Sequence, residues 1–234
     1  MSRVLLLDVE TSPAIAYVWK LHDENISLDQ LIQPSRIICW AAKWLGARDV
    51  HYADERSGKR KMFQGIHALL SEADATVTYN GLCFDLPKLD GSFLEHDLPP
   101  APPVVAIDLY QTVRKLGYQS GKLAFIGPHL KIGEKVKHEG FSLWRSCMEG
   151  DKKAWGRMKK YNLQDVRLLD GLYTKLRPYI RNHPYLAATT GKCPACQSSN
   201  AESRGNRRTK TLVIQRLKCG NCGLWYDGNR QRMR

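Results

Sequence analysis

An α/β domain on a mixed sheet flanked by helices, followed by a small four-cysteine module, is the architecture predicted for this 234-residue chain. Three observations predict it. A short run of branched apolar residues opens the chain, β-prone segments come first as a hairpin and then alternate with helical patterns, and four cysteines fall in two C-x-x-C pairs near the C-terminus. With 43% apolar and 25% charged residues, the composition excludes a disordered polyelectrolyte and a membrane protein, and the length is sufficient to bury a core.

Arg3 to Val9 reads as a fully buried strand, rich in valine and leucine. Its apolar run is stopped by Asp8 after four residues, too short for a signal peptide or membrane span, so the expected location is the cytoplasm. Arg36 to Trp44 and Asp49 to Ala53 are β-prone and flank Leu45-Gly46-Ala47-Arg48, the pattern of a hairpin. Lys61 to Ala73 has helical spacing in Met62, Ile66, Leu69 and Leu70, and Ala75 to Tyr79 is a second short core strand. Helices are expected over Leu86 to His96 and Leu109 to Leu116, with a strand over Val104 to Ile107 between them. Lys152 to Leu176 is the clearest helix, placing Trp155, Met158, Val166, Leu169, Leu172, Tyr173 and Leu176 on one broad face. Pro178 and Pro184 prevent its continuation. The junction is placed near Leu186 to Gly191, giving a first domain over 1–188 and a second over 189–234.

Charge is uneven along the chain. The formal net charge is +13, and residues 191–234 hold ten Lys and Arg against Glu202 and Asp227, a net of +8 that leaves +5 for the remainder. A basic protein of this kind is expected to meet a polyanion, most often nucleic acid.

Three carboxylate motifs stand out. Asp8-Val9-Glu10 ends the first strand, and acids at i and i+2 point to the same side. Two acids held side by side call for cations or protons. Alone, the pair equally fits a polar strand end. Asn80-Gly81-Leu82-Cys83-Phe84-Asp85 follows the middle strand, where Asp85 alone could be a helix N-cap. Tyr161 and Asp165 are four apart within the long helix and share a face with its apolar stripe, where Tyr161 alone could be a core aromatic. Asp170 lies five residues further, rotated away, and is expected to be solvated or capping; Asp108 reads as an N-cap. Lys131, Lys135 and Lys137 line a nucleic-acid path or form an exposed basic loop, the seven histidines share no ligand spacing, and Cys39, Cys83 and Cys147 are expected free and at least partly buried.

Together, Asp-x-Glu, Asn-Gly-x-x-Phe-Asp-x-Pro and Tyr-x-x-x-Asp resemble the three exonuclease motifs of the DEDD (DnaQ-like) superfamily, in the tyrosine subclass, over residues 3 to 180. Segments such as Ile38 to Trp44 are similar to exonucleases encoded by phages. The resemblance implies an RNase H-like fold and a metal-dependent 3′ to 5′ exonuclease. It implies two Mg²⁺ or Mn²⁺ ions about 4 Å apart, held by Asp8, Glu10, Asp85 and Asp165, with Asp85 acting at one remove through water. Tyr161 would orient the attacking water, and Thr11, Asn80 and Phe84 would hold the terminal nucleotide. DNA, preferably single-stranded, is the expected partner; RNA is the alternative, a non-catalytic nucleic-acid-binding protein ranks third, and replication or recombination proteins are candidate partners. No membrane partner is expected.

Cys193-x-x-Cys196 and Cys219-x-x-Cys222 are separated by 22 residues and resemble the two knuckles of a zinc ribbon holding one structural Zn²⁺. A 44-residue module of this kind folds with its metal. Arg204 to Lys210 is expected to form a hairpin tip, followed by a strand over Thr211 to Leu217, with Arg207, Arg208 and Lys210 as candidate substrate contacts. The ribbon grips nucleic acid, contacts a protein, or serves only as a structural cap.

Overall fold

Strand β1 (Val4–Thr11) leads into a two-stranded ribbon of β2 (Ile15–Ala16) and β3 (Leu31–Gln33), then into β4 (Ile37–Trp44) and β5 (His51–Asp54). Helix α1 (Lys59–Ser71), β6 (Ala75–Thr78), α2 (Asp85–Glu95) and β7 (Val105–Asp108) follow, and then helices α3 (Leu109–Val113), α4 (Leu123–His129), α5 (Phe141–Met148) and α6 (Lys152–Leu176). Strands β8 (Ala201–Arg208), β9 (Leu212–Cys219) and β10 (Trp225–Arg232) complete this computed structural model, which describes residues 3–181, 183–186 and 191–233. The expected junction between 188 and 189 falls outside the described residues, as does Arg234 of the basic tail.

The main sheet has the order β5-β4-β1-β6-β7. β4 and β5 run antiparallel as the expected hairpin, whereas β6 pairs parallel to β1 and β7 parallel to β6. β1 is therefore central, which explains its unbroken apolar opening: both faces are covered. Leu5, Leu7 and Val9 pack with Met62, Phe63, Ile66 and Leu70 of α1 and with Leu89 and Phe93 of α2. Val4 and Leu6 pack on the other side against Val166, Leu169, Leu172 and Tyr173 of α6. The period of two then puts Asp8 and Glu10 on the α6 side of the sheet, at the end where β1 emerges. The fold is the expected α/β mixed sheet flanked by helices, with a four-cysteine cluster beyond it.

Several expectations are corrected. Asp170 is only partly solvated: it pairs with Lys43 of β4, whose side chain is mostly buried. Cys83 is exposed, while Cys39 and Cys147 are buried. The helix expected over 109–116 ends at Val113. Arg204 to Arg208 lie within β8 rather than at a hairpin tip, and the turn falls at Thr209 to Thr211, where Thr209 donates to and accepts from Leu212.

Candidate active site

Each acid reaches the site by a different route. Asp8 and Glu10 arrive by strand alternation. Asp165 arrives because α6 crosses β1 with its apolar stripe down, so that an acid on that stripe is 2% exposed and aimed at the sheet. Carboxylate oxygens of Asp8, Glu10 and Asp165 lie within 4.8 Å of one another. Asp85 stands beside this group: its Oδ1 accepts the amide hydrogen of Val9 at 3.0 Å, so it is the first residue of α2 and not an N-cap. The loop before it is set by Asn80, at a φ of 67°, and by Gly81, where a Cβ would lie 2.4 Å from the Thr78 side chain. Asp108 caps α3 as expected, accepting from the Tyr110 amide at 3.0 Å. It also anchors this loop through the amides of Asn80 (2.8 Å) and Leu82 (3.4 Å).

Three further residues complete the site. Asn162, fully buried, donates from Nδ2 to Asp8 Oδ2 at 2.7 Å and to the Asp8 carbonyl at 3.2 Å. Lys135 reaches in from the loop before α5 to place Nζ 2.7 Å from Asp165 Oδ2 and 4.7 Å from the centre of the Tyr161 ring. The Tyr161 hydroxyl interacts with both of them. The His138 ring stands edge-on to Tyr161, 5.0 Å between centroids. Of the two readings open for Lys135, the structure places it at the acids. Asn162 was legible only as the neighbour of Tyr161, and nothing in the sequence brings His138 here.

Electrostatically the site is short of positive charge. Burial pushes Asp8 well above the usual carboxylate range, with Glu10, Asp85 and Asp165 adding to it. Burial and the nearby Asp165 raise Glu10 to about 8, and burial raises Asp85 to about 7 against the opposing Val9 amide. Burial also raises Asp165, opposed chiefly by Lys135. Burial works against the Lys135 charge, but Asp165 outweighs it and holds the ammonium above its ordinary range. Asp165 Oδ1 is buried without a hydrogen-bond partner. Clustered hard oxygen donors, one of them unpaired, fit divalent cations such as Mg²⁺ or Mn²⁺.

These shifts have a measurable consequence. An acid whose folded pKa is raised contributes stability at low pH, and loses it as pH rises through the folded value. The metal-free protein should therefore lose thermal stability from about pH 5 upward, most steeply between pH 5 and pH 7, with the loss easing as Asp85 and Glu10 ionise in the folded state near 7 and 8. Glu10→Gln should raise its Tm at pH 8 by about 2–4 °C. Calorimetry in EDTA checks this; a Tm for Glu10→Gln at or below that of the unaltered protein at pH 8 contradicts it.

Thr11 closes β1 where the register shifts, and Phe84 is partly exposed with Lys88 Nζ 5.2 Å above its ring; with Asn80 they flank Glu10 and Asp85 in the chain. Arg207 and Arg208 belong to β8 of the second sheet and Lys210 to the turn that follows it, and Arg207 is bound bidentately by Asp227, at 3.1 and 2.7 Å. Beside that sheet the four cysteine sulfurs lie within 4.8 Å of one another, with Cys193–Cys222 at 3.6 Å and Cys196–Cys219 at 3.5 Å. A tetrahedral Zn–S site with bonds of about 2.3 Å has sulfur–sulfur edges of roughly 3.8 Å, so the donors are already near coordination distance.

The model of the RNase_H superfamily (RNase_H_2) matches residues 45–177, a span that holds Asp85, Tyr161 and Asp165 and begins after Asp8 and Glu10. No curated protein matches the chain. Among solved structures it is similar to the family B DNA polymerase from the hyperthermophilic archaeon Pyrobaculum calidifontis, at 19% identity and a TM-score of 0.56, over 76% of this chain and 25% of the polymerase. It is also similar to Trypanosoma brucei RNase D, at 15% identity and a TM-score of 0.46, over 74% of this chain and 56% of that one. The chain thus spans a quarter of the first and about half of the second, and the likeness to the polymerase is one of fold.

Proposed function

This chain belongs to the RNase_H superfamily, and from that membership we propose that it is a metal-dependent 3′ to 5′ exonuclease acting on single-stranded DNA. The observation that carries the reading is the meeting of Asp8, Glu10 and Asp165 at one end of the sheet, with Asp85 alongside. Asp8, Glu10, Asp85 and Asp165 would hold two Mg²⁺ or Mn²⁺ ions. When bound, the ions supply positive charge to the scissile phosphate and the departing 3′ oxygen and make water more acidic.

The chain's own residues do the rest. Asn162 fixes the Asp8 carboxylate, and the Val9 amide fixes Asp85. Burial, with Asp165 nearby, keeps the Tyr161 hydroxyl protonated at neutral pH, so Tyr161 orients the attacking water by hydrogen bonding and does not act as its base. Lys135 holds Asp165 and Tyr161 in register and adds one positive charge beside the phosphate. Water attacks phosphorus, the P–O3′ bond breaks, and a 5′-mononucleotide leaves a strand one residue shorter. Thr11, Asn80 and Phe84 would seat the terminal nucleotide. The four cysteines would hold one structural Zn²⁺, and Arg207, Arg208 and Lys210 would grip the strand at a distance.

Matched DNA and RNA oligonucleotides, labelled at the 3′ end, test the reading in Mg²⁺. Labelled mononucleotides should appear from single-stranded DNA at least about tenfold faster than from RNA, and EDTA should stop the release. Cutting of circular DNA overturns the exonuclease assignment, and faster release from RNA overturns the DNA assignment.

A further inference from the structure

Between β1 and β4 the chain leaves the main sheet through the β2–β3 ribbon, and this excursion carries the three most exposed large apolar side chains described. Trp19 is 94% exposed, Leu28 88%, Leu21 87% and Tyr17 76%, and Val18 and Ile26 lie among them. Single exposed hydrophobes need no explanation, but six between residues 17 and 28 do.

The excursion is built and ordered. The Tyr17 amide donates to the Gln30 carbonyl and Gln30 Nε2 returns a bond to the Tyr17 carbonyl, both at 3.0 Å. The Glu24 carboxylate accepts from the amides of Trp19 (3.2 Å) and Lys20 (2.9 Å) and from Gln30 Nε2 (2.9 Å). At its root, the Ser12 amide donates to the Arg36 carbonyl at 2.8 Å and the Ser35 hydroxyl to the Ser12 carbonyl at 2.7 Å. Its apolar tip is thus held out by a fixed frame, so little ordering remains to be done on binding.

Position identifies the occupant, and charge limits how it is met. The excursion begins one residue after Thr11, at the end of β1 that bears Asp8 and Glu10, so a strand whose 3′ end lies among the acids passes its root. Residues 13–33 carry one lysine against three acids, in a chain whose net charge is +13. A surface of that sign repels phosphates, and what it offers a nucleic acid is contact with the faces of bases. We infer that residues 17–28 form a wedge that enters between the two strands at the 3′ end of a duplex. Trp19, Tyr17, Leu21 and Leu28 stack on the bases of the last pair, the acids hold the phosphates outward, and the freed 3′ strand passes to the acid pocket. This inference rests on the nuclease reading and extends it to paired ends.

Because Trp19 and Leu21 are exposed, the double variant Trp19→Ala, Leu21→Ala should fold. The full chain and this variant are titrated, in EDTA to prevent turnover, with a labelled DNA single strand and with the same strand paired except for its last two 3′ nucleotides. The variant should bind the forked duplex about tenfold more weakly and the single strand within twofold of the unaltered chain. Equal loss on both, or loss on neither, overturns the wedge. So does sedimentation that shows a dimer dissolved by the variant with DNA binding unchanged, which assigns the patch to a second copy of the chain. Rates in Mg²⁺ separate this inference from the reading beneath it. Fork-selective binding without nucleotide release leaves the wedge and overturns the nuclease. Release with the same duplex-to-single-strand ratio in both proteins leaves the nuclease and overturns the wedge.

Discussion

Asp8→Asn should lower nucleotide release on the order of a thousandfold while the protein folds as before. Asp8 lies at the centre of the acid group: it is within reach of Glu10 and Asp165, and its charge is opposed by every other acid of the site. Removing that charge takes away a share of the cation's binding and of the several kcal/mol by which bound cations stabilise developing charge on the phosphate. The fold has the opposite interest. An asparagine oxygen can still accept from Asn162 Nδ2, and repulsion within the pocket falls, so the metal-free Tm should rise at pH 8. Asp165→Asn should lose activity likewise but without the gain in stability, because it strips Lys135 of its ion pair. The test pairs a rate measurement with a melting curve for each protein. Activity within tenfold of the unaltered enzyme for Asp8→Asn would remove the acid group from the chemistry.

Cys219→Ser should disorder the β8–β10 sheet. Of its buried cluster, Cys193, Ala195, Cys219 and Leu224, two members are candidate ligands, and the partly buried neighbours Cys196 and Cys222 are the other two. Little apolar core remains once the metal is gone, and binding of a structural Zn²⁺ to such a site contributes roughly 10 kcal/mol or more. Burial works against a Cys196 thiolate, but the Ser198 amide and Asn221 outweigh it and pull the thiol down to about 7, so one ligand is close to its binding form at neutral pH. Atomic emission should find one zinc per chain in the unaltered protein and less than a tenth of that in Cys219→Ser. Limited proteolysis should then cut the variant within 191–233 while residues 3–181 resist. Equal resistance of the two proteins would show that the sheet stands without its metal.

The parts of the fold that the sequence revealed are those in which burial and periodicity agree. β1 and β4, buried on both faces, show unbroken apolar runs, whereas α1, α2 and α6 bury one face against the sheet and show the helical period. Elements that escaped notice lack that agreement. In β2 and β3 the apolar residues face outward, so their hydrophobicity marks exposure. α4 contains Pro128 and β8 is exposed along nearly its whole length, so neither carries a periodic signal, and the Leu143–Cys147 spacing of α5 is confined to eight residues. The four acids and Tyr161 were legible because motif order survives in one dimension. Lys135 was not fixed, because a lysine in a glycine-containing loop looks solvated until the fold brings it to an aspartate 30 residues away.

The second sheet also has an open flank. β8 is an edge strand, exposed from Glu202 to Arg208, and such an edge is a template on which another chain can add a strand. Here the template is spoiled twice. The register shifts between Ser203 and Asn206, with Gly205 at a φ of 77° bending the strand, and Arg208 adds positive charge to the flank beside Arg204 and Arg207, which are paired with Glu202 and Asp227. The same arginines that would meet a phosphate backbone thus keep copies of the protein from stacking edge to edge. Neutralising them should make the protein self-associate in concentrated solution, so solubility and grip are set by one row of side chains.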